Sequence, residues 1–244
     1  MELSWFEGRI SVEAAILGRN RSVEVVYFNR EKRDKNLGRL ARLATAEKIP
    51  VKYEDDLFFA EHAQGKSHGG VLAEVGPRRY SELNELIRVG DVPFVCMLDG
   101  VEDPFNFGQA IRALYAAGAA GLVVRERNWL SAANVVARAS AGASEFLPTA
   151  VVGSALEAAD YFRNRGLTIA CTARKYAVSI YDSDLIQPMF ILVGGERRGV
   201  TRSFLDQADV RLRIPYGRNF AFSLGVTAST AILAFEILRQ RTSH

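Results

Sequence analysis

The chain has 244 residues, 48% hydrophobic and 24% charged, with a formal net charge of only +3, values ordinary for a soluble globular protein and enough for one large or two modest domains. No apolar run approaches the ~18–20 residues needed to span a bilayer, and the opening MELSWFEGRI lacks the basic start and apolar core of a signal peptide, so the cytoplasm is the expected setting. Cys96 and Cys171 stand alone in apolar runs and the three histidines form no ligand spacing, which argues against a metal centre, a disulfide framework or a histidine-dependent nucleophile.

Residues 9–75 read as a small α/β unit. Ser11 is placed to cap a helix running to about Gly18, with Ala14, Ala15 and Leu17 among its apolar positions. The β-branched run 23–28 predicts a strand, and Leu37, Leu40, Ala41 and Ala44 fall at helical spacing over 37–48. Further strands are expected from Pro50-Val51 and over 70–75. Between Arg19 and Arg42 eight basic residues face three acidic ones, with Arg30, Lys32, Arg33 and Lys35 closest together. A solvated helix face and a phosphate-contacting edge both explain such a cluster.

Residues 76–92 form a Pro/Gly- and charge-bearing connector with one short helix, and the domain boundary is expected there. Beyond it strand and helix alternate: strand 94–98, helix 108–117, strand 121–124, helix 131–140, helix 155–164, and strands 168–171, 190–193 and 210–214. That alternation predicts a doubly wound α/β domain with a mostly parallel sheet covered on both faces. The strand 190–193 breaks at Gly194-Gly195-Glu196, the strand 210–214 at Pro215, and Ser223-Leu224-Gly225 opens a terminal helix reaching Arg241. Two glycine-bearing loops after two strands let main-chain groups approach one flat ligand. There is no G-x-G-x-x-G and no Gly-Lys-Ser/Thr, so neither a dinucleotide fingerprint nor a P-loop is present. In the terminal helix Leu224, Ala228, Ala231, Phe235 and Leu238 form one apolar stripe, read most simply as the face that covers the sheet.

Three motifs in this order resemble those of the SpoU/TrmH family of SPOUT RNA 2′-O-ribose methyltransferases. The first is Asp103, Pro104, Asn106, Gly108 and Arg112; the second Gly194 or Gly195 with Glu196 and Gly199; the third Ile214, Pro215, Ser223 and Leu224. The chain departs from the family pattern at Gly225, where an asparagine is usual. The resemblance implies a ribosomal-protein-like RNA-binding domain over 1–76, a linker over 77–92, and a SPOUT domain with a deep trefoil knot over 93–244. It implies S-adenosylmethionine as cofactor, held by Thr172, Gly194, Gly195, Glu196, Ile214 and Leu224. Catalysis would fall to Asn106, Arg112, Glu196 and Ser223, with Asn106 in the loop before its helix. RNA would meet Arg30, Lys32, Arg33, Lys35 and Arg218; ribosomal RNA is the first candidate, transfer RNA the second. The protein would be a homodimer packed through its terminal helix, without metal or membrane. Gly225 leaves open a second reading, a knotted RNA-binding protein with impaired catalysis. On residue types alone Arg112 reads as a surface arginine, Glu196 as a loop carboxylate and Ser223 as a helix cap.

Overall fold

Two sheets, one of four strands and one of seven, organise the computed structural model, which describes residues 3–64, 68–88, 90, 92–126, 132–195 and 197–242. In chain order the elements are β1 (Ser4–Glu7), α1 (Arg9–Gly18), β2 (Val23–Asn29), α2 (Lys35–Ala46), β3 (Val51–Glu54), α3 (Asp56–His62) and β4 (Val71–Val75). There follow β5 (Phe94–Asp99), α4 (Pro104–Ala116), β6 (Gly121–Arg125), α5 (Ala133–Ala139), β7 (Thr149–Val152) and α6 (Ala155–Arg163). The last part holds β8 (Thr168–Thr172), β9 (Val178–Ser179), β10 (Met189–Gly194), α7 (Arg202–Gln207), β11 (Val210–Arg213) and α8 (Val226–Thr242).

The backbone groups into two compact units: Met1–Arg79 with Asn128–Phe146, and Tyr80–Arg127 with Leu147–His244. This differs from a single boundary between 76 and 93, and the reason is a set of buried polar contacts far apart in sequence. Within the first unit Arg21 Nε donates to Glu145 Oε2 at 2.7 Å and Arg21 Nη1 to the Gly76 carbonyl at 3.0 Å. Arg78 lies 3.5 Å from the same carboxylate, which is 1% exposed. The buried Glu7 receives Arg138 at 3.3 Å, and its N–H donates to Asn134 Oδ1 at 3.1 Å. Ala133 and Ala137 of α5 join Phe6, Val12, Val26 and Leu40 in the core of this unit. Its sheet runs β1-β4-β2-β3, with β2 and β3 parallel and the other pairs antiparallel.

The second unit carries the parallel sheet that strand–helix alternation predicts, in the order β7-β6-β5-β10-β8-β11-β9. Its core is built from Val95, Met97, Val123, Ile169, Phe190 and Leu192, strand residues enclosed on both faces as a parallel sheet requires.

Several local expectations change. Ser11 does not cap α1; the helix starts two residues earlier, after Gly8 at φ 83°, and Ser11 is buried inside it. Asn106 is not in a loop. Asp103 accepts from the Asn106 N–H at 2.6 Å and Pro104 takes the first helical position, so α4 begins four residues before 108 and Asn106 sits in its first turn. Ser223 does not cap α8, which starts at Val226. The stripe of Leu224, Ala228, Ala231, Phe235 and Leu238 is not the face buried in this chain. Val226, Thr230, Leu233, Ala234 and Ile237 are. Apolar residues recur on more than one side of the helix as far as Leu238, so spacing offers two stripes and does not choose between them. The predicted helix over 131–140 is observed as Ala133–Ala139, and Ser131 lies outside the described residues.

Candidate functional site

The second unit contains a cleft of about 710 Å³ at the C-terminal ends of β8, β10 and β11. Open α/β sheets place ligands beyond the carboxyl ends of their strands, and this volume is within the range of small-molecule sites. Each of the three strands ends in a cleft residue: Thr172, Gly194 and Arg213.

The glycine loop after β10 is shaped by main chain meeting main chain. A Cβ on Gly195 would overlap the Gly100 carbonyl oxygen, and one on Gly194 would overlap the backbone of Gly199. The Gly195 N–H donates to the Asp99 carbonyl at 2.6 Å, and the Gly199 N–H to the Gly195 carbonyl at 2.9 Å. These glycines therefore serve the fold first, letting the loop lie against the end of β5. They also line the cleft with bare backbone.

The opposite side comes from the stretch after β11. Ile214, Tyr216, Arg218, Phe220, Ser223 and Leu224 line it. The Leu224 N–H donates to the Tyr216 hydroxyl at 3.0 Å, and Arg174 Nη2 to the Ala221 carbonyl at 2.6 Å. Tyr216, Phe220 and Phe222 follow one another at 6.2 and 5.6 Å between ring centroids, and all three are exposed; Phe222 does not pack into the core.

Charge in the cleft is one-sided. Arg174, Lys175, Arg197, Arg198, Arg211, Arg213 and Arg218 line it, with no carboxylate among the described lining residues. Arg197 pairs with Glu102 at 3.3 Å and Arg211 with Asp206 at 3.5 Å. Sequence reading missed Arg211 and Arg213. Their signal was the alternation Val210-Arg211-Leu212-Arg213, which puts both arginines on one face of β11. Cys171, next to Thr172, is fully buried, and that burial pushes its thiol up to about 11 against the opposing pull of Arg211.

The structure thus brings Thr172, Gly194, Gly195, Ile214, Leu224, Ser223 and Arg218 to one cleft. Glu196 lies outside the described residues. Asn106 and Arg112 are not among the lining. Asn106 approaches through its backbone, since Thr227 Oγ1 donates to its carbonyl at 3.3 Å, tying the first turn of α4 to the start of α8. Arg112 is exposed on α4. Phe105, Arg112 and Tyr115, at +7 and +3 spacing, share one exposed face of that helix. Of the basic cluster in the first unit, Arg30 lies 3.8 Å from Glu54, while Lys32, Arg33 and Lys35 line a separate cavity.

The cleft's chemistry suits S-adenosylmethionine. Bare glycine backbone and the apolar Ile214, Leu224 and Leu233 match a flat adenine, and the arginines match an amino-acid carboxylate.

Comparison with known proteins places the chain in a family. Residues 93–235 match the SpoU rRNA methylase family, and residues 5–81 match the family described as RNA 2′-O ribose methyltransferase substrate binding. The 23S rRNA (guanosine-2′-O-)-methyltransferase RlmB of Pseudomonas aeruginosa is 32% identical over 95% of this chain and 94% of its own length. RlmB of Shewanella oneidensis is 30% identical over 96% of both chains. Among solved structures, the SpoU methyltransferase AviRb from Streptomyces viridochromogenes in complex with AdoMet superposes with a TM-score of 0.81 at 22% identity, covering 99% of this chain and 92% of that one. On the family match over most of the second unit, with full-length relatives at this identity, the chain belongs to the SpoU rRNA methylase family.

Proposed function

We propose that this chain transfers the methyl group of S-adenosylmethionine to a ribose 2′-hydroxyl of RNA, with large-subunit ribosomal RNA as first substrate and transfer RNA as second. The observation that carries this is the cleft at the ends of β8, β10 and β11, where the second and third motifs converge on bare backbone. The one-sided positive charge at its mouth suits a polyanion, and the RlmB relatives act on 23S rRNA by name. A ribosomal substrate puts the protein in the cytoplasm.

When bound, S-adenosylmethionine supplies a methyl group already activated on a sulfonium, so the protein's task is placement. Thr172, Gly194, Gly195, Glu196, Ile214 and Leu224 hold the cofactor. Asn106 and Ser223 border the acceptor, and Glu196 organises the loop. Arg112 carries a guanidinium, which donates hydrogen bonds and accepts none, so it is not assigned as the proton acceptor. It clamps a phosphate of the target strand and stabilises the charge that develops on the 2′-oxygen as the hydroxyl proton leaves to solvent.

Arg112 lies outside the cleft of its own chain, so we assign it to the cleft of a second copy. Two faces support such a dimer: the exposed Phe105 and Tyr115 beside Arg112 on α4, and the exposed Ala228 and Phe235 with the half-buried Ala231 and Leu238 on the outer side of α8. The deep trefoil knot is part of the same reading. It is supported by β11, the last strand, lying between the earlier β8 and β9, and by Gly195 pressed against Gly100. Residues 1–76, with 128–146 packed among them, serve as the RNA-gripping domain, 77–92 as linker and the rest of 93–244 as the methyltransferase domain.

Arg112→Ala tests the reading. It should lower methyl transfer about 100- to 1000-fold, the scale for losing one donor to a developing oxyanion, with cofactor affinity by calorimetry unchanged. Arg112→Lys should rescue poorly, because a point charge does not reproduce a planar two-pronged contact. Mixing Arg112→Ala with a cofactor-loop variant should restore activity in heterodimers. Full activity in the Arg112→Ala homodimer would remove this residue from the mechanism.

A further inference from the structure

A cavity in the first unit shares no lining residue with the cleft of the second. It measures about 370 Å³ and opens where β2 and β3 end and α2 begins. Its basic turn is held rigidly by Asn29, which is 2% exposed. Asn29 Nδ2 donates to Asp56 Oδ1 at 2.6 Å, and Asn29 Oδ1 accepts from the Glu31 N–H at 2.9 Å. The Lys32 N–H donates to the Asn29 carbonyl at 3.3 Å. The Lys32 stem crosses Gly70, where a Cβ would come 2.7 Å from Lys32 Cδ. Burial first, then the Lys32 charge, holds the neighbouring His68 imidazole below its usual value.

Two features of this cavity are unexplained by folding. Tyr53 is 58% exposed on the edge strand β3, its ring 5.9 Å from the Phe28 ring. Gly38 sits inside α2, where glycine is less favourable than alanine. A Cβ there would meet only the tip of Arg42, at 3.9 Å. Among the described residues no neighbour needs the space that Gly38, itself exposed, leaves at the edge of the cavity.

We propose that this cavity receives one unpaired base of the RNA, stacked on Tyr53, while Lys32, Arg33 and Lys35 contact the phosphates on either side. The inference rests on the reading that the chain acts on RNA, and it names what the first unit recognises. Proteins read unpaired nucleotides by stacking them on aromatic side chains within a cationic groove, whereas a paired base inside a helix offers no free face. An aromatic wall, a rim of three cations against the single carboxylate of Asp34, which is engaged in capping α2, and an opened side at Gly38 together fit that use. The pocket then selects a looped or bulged nucleotide and sets the position of the RNA.

The test uses the full chain, a short single-stranded RNA of mixed sequence, and the same strand annealed to its complement, with binding read by fluorescence anisotropy and S-adenosylmethionine binding read by calorimetry in parallel. The single strand should bind more tightly than the duplex. Tyr53→Ala should weaken the single strand by about fivefold to a hundredfold, the scale of one lost stacked base, and leave the duplex unchanged; Tyr53→Phe should retain affinity. Gly38→Leu, which fills the cavity, should reproduce Tyr53→Ala; if it does not fold, the Tyr53 pair decides alone. Lys32→Gln should weaken both RNAs and flatten their salt dependence. Equal affinity for strand and duplex, or equal losses on both in Tyr53→Ala, would overturn the proposal. So would Tyr53-dependent displacement of the RNA by an acidic peptide, which would identify a protein partner. Cofactor binding without any RNA binding would end this proposal and leave the cofactor site standing. The Tyr53 pattern without cofactor binding would keep it and end the methyltransferase reading.

Discussion

The two units of this chain hold their key geometry by different means. In the first, charged side chains lock distant segments together: Glu145 gathers Arg21 and Arg78, and Glu7 gathers Arg138. In the second, the cofactor-side loop is held by the absence of side chains, with Gly194, Gly195, Gly199 and Gly100 meeting through backbone. The contrast teaches where each unit is vulnerable. A network of side chains fails when one partner is removed and a charge is left buried. A backbone crossing fails when any atom is added.

That contrast can be broken by experiment. The largest effect should come from Gly195→Ala, because the added Cβ overlaps a carbonyl oxygen rather than a yielding side chain. A loss above about 4 kcal/mol, at the far end of single substitutions, should appear in denaturant melts, together with loss of cofactor binding. A stable Gly195→Ala protein with unchanged affinity would show that the loop has room. Next comes Glu145→Ala. Leaving Arg21 buried without its carboxylate should cost about 3–5 kcal/mol, again read from melts, with cofactor affinity preserved in whatever protein folds. A near-zero effect would mean that the network is dispensable and that apolar packing holds α5 to the first unit.

The smallest effect sharpens the comparison from the other side. In the second unit Thr230 Oγ1 is buried without a hydrogen-bond partner among the described residues. Thr230→Val removes that hydroxyl at nearly equal volume and should raise stability by about 1 kcal/mol. Destabilisation would reveal that the hydroxyl has a partner, and that this unit too depends on a buried polar contact.

How much of this was legible in the sequence differs element by element. The parallel sheet was legible because its strands are continuous apolar runs between helices, such as 94–98 and 190–193. The cleft was legible because its residues fall where strands break, at Thr172, at Gly194-Gly195 and at Ile214-Pro215. The start of α4 was written in Asp103-Pro104, a cap followed by a helix-opening proline, but the reading stayed with Gly108. β1, β7, β9, α3 and α7 went unread; each spans at most seven residues, too few for a period to declare itself. The attachment of α5 to the first unit was beyond reach, since Arg21 and Glu145 are 124 residues apart and neither carries a local sign of its partner. Which face of α8 turns inward was hidden for another reason: both stripes are apolar, and only packing against β10 and α4 decides. Tyr53 and Gly38 each read as unremarkable alone and gain meaning only around a shared cavity.

The central claim is methyl transfer to a ribose oxygen, and the chemistry of RNA hydrolysis tests it directly. The purified chain is incubated with unmodified ribosomal RNA transcribed in vitro and S-adenosylmethionine labelled in its methyl group, and the RNA is then digested with alkali. Alkaline cleavage requires a free 2′-hydroxyl, so a 2′-O-methylated residue survives in a dinucleotide. The account predicts label in alkali-resistant dinucleotides, and its loss in Arg112→Ala. Label in mononucleotides, which marks methylation of a base, or no incorporation by a protein that binds both cofactor and RNA, would contradict it.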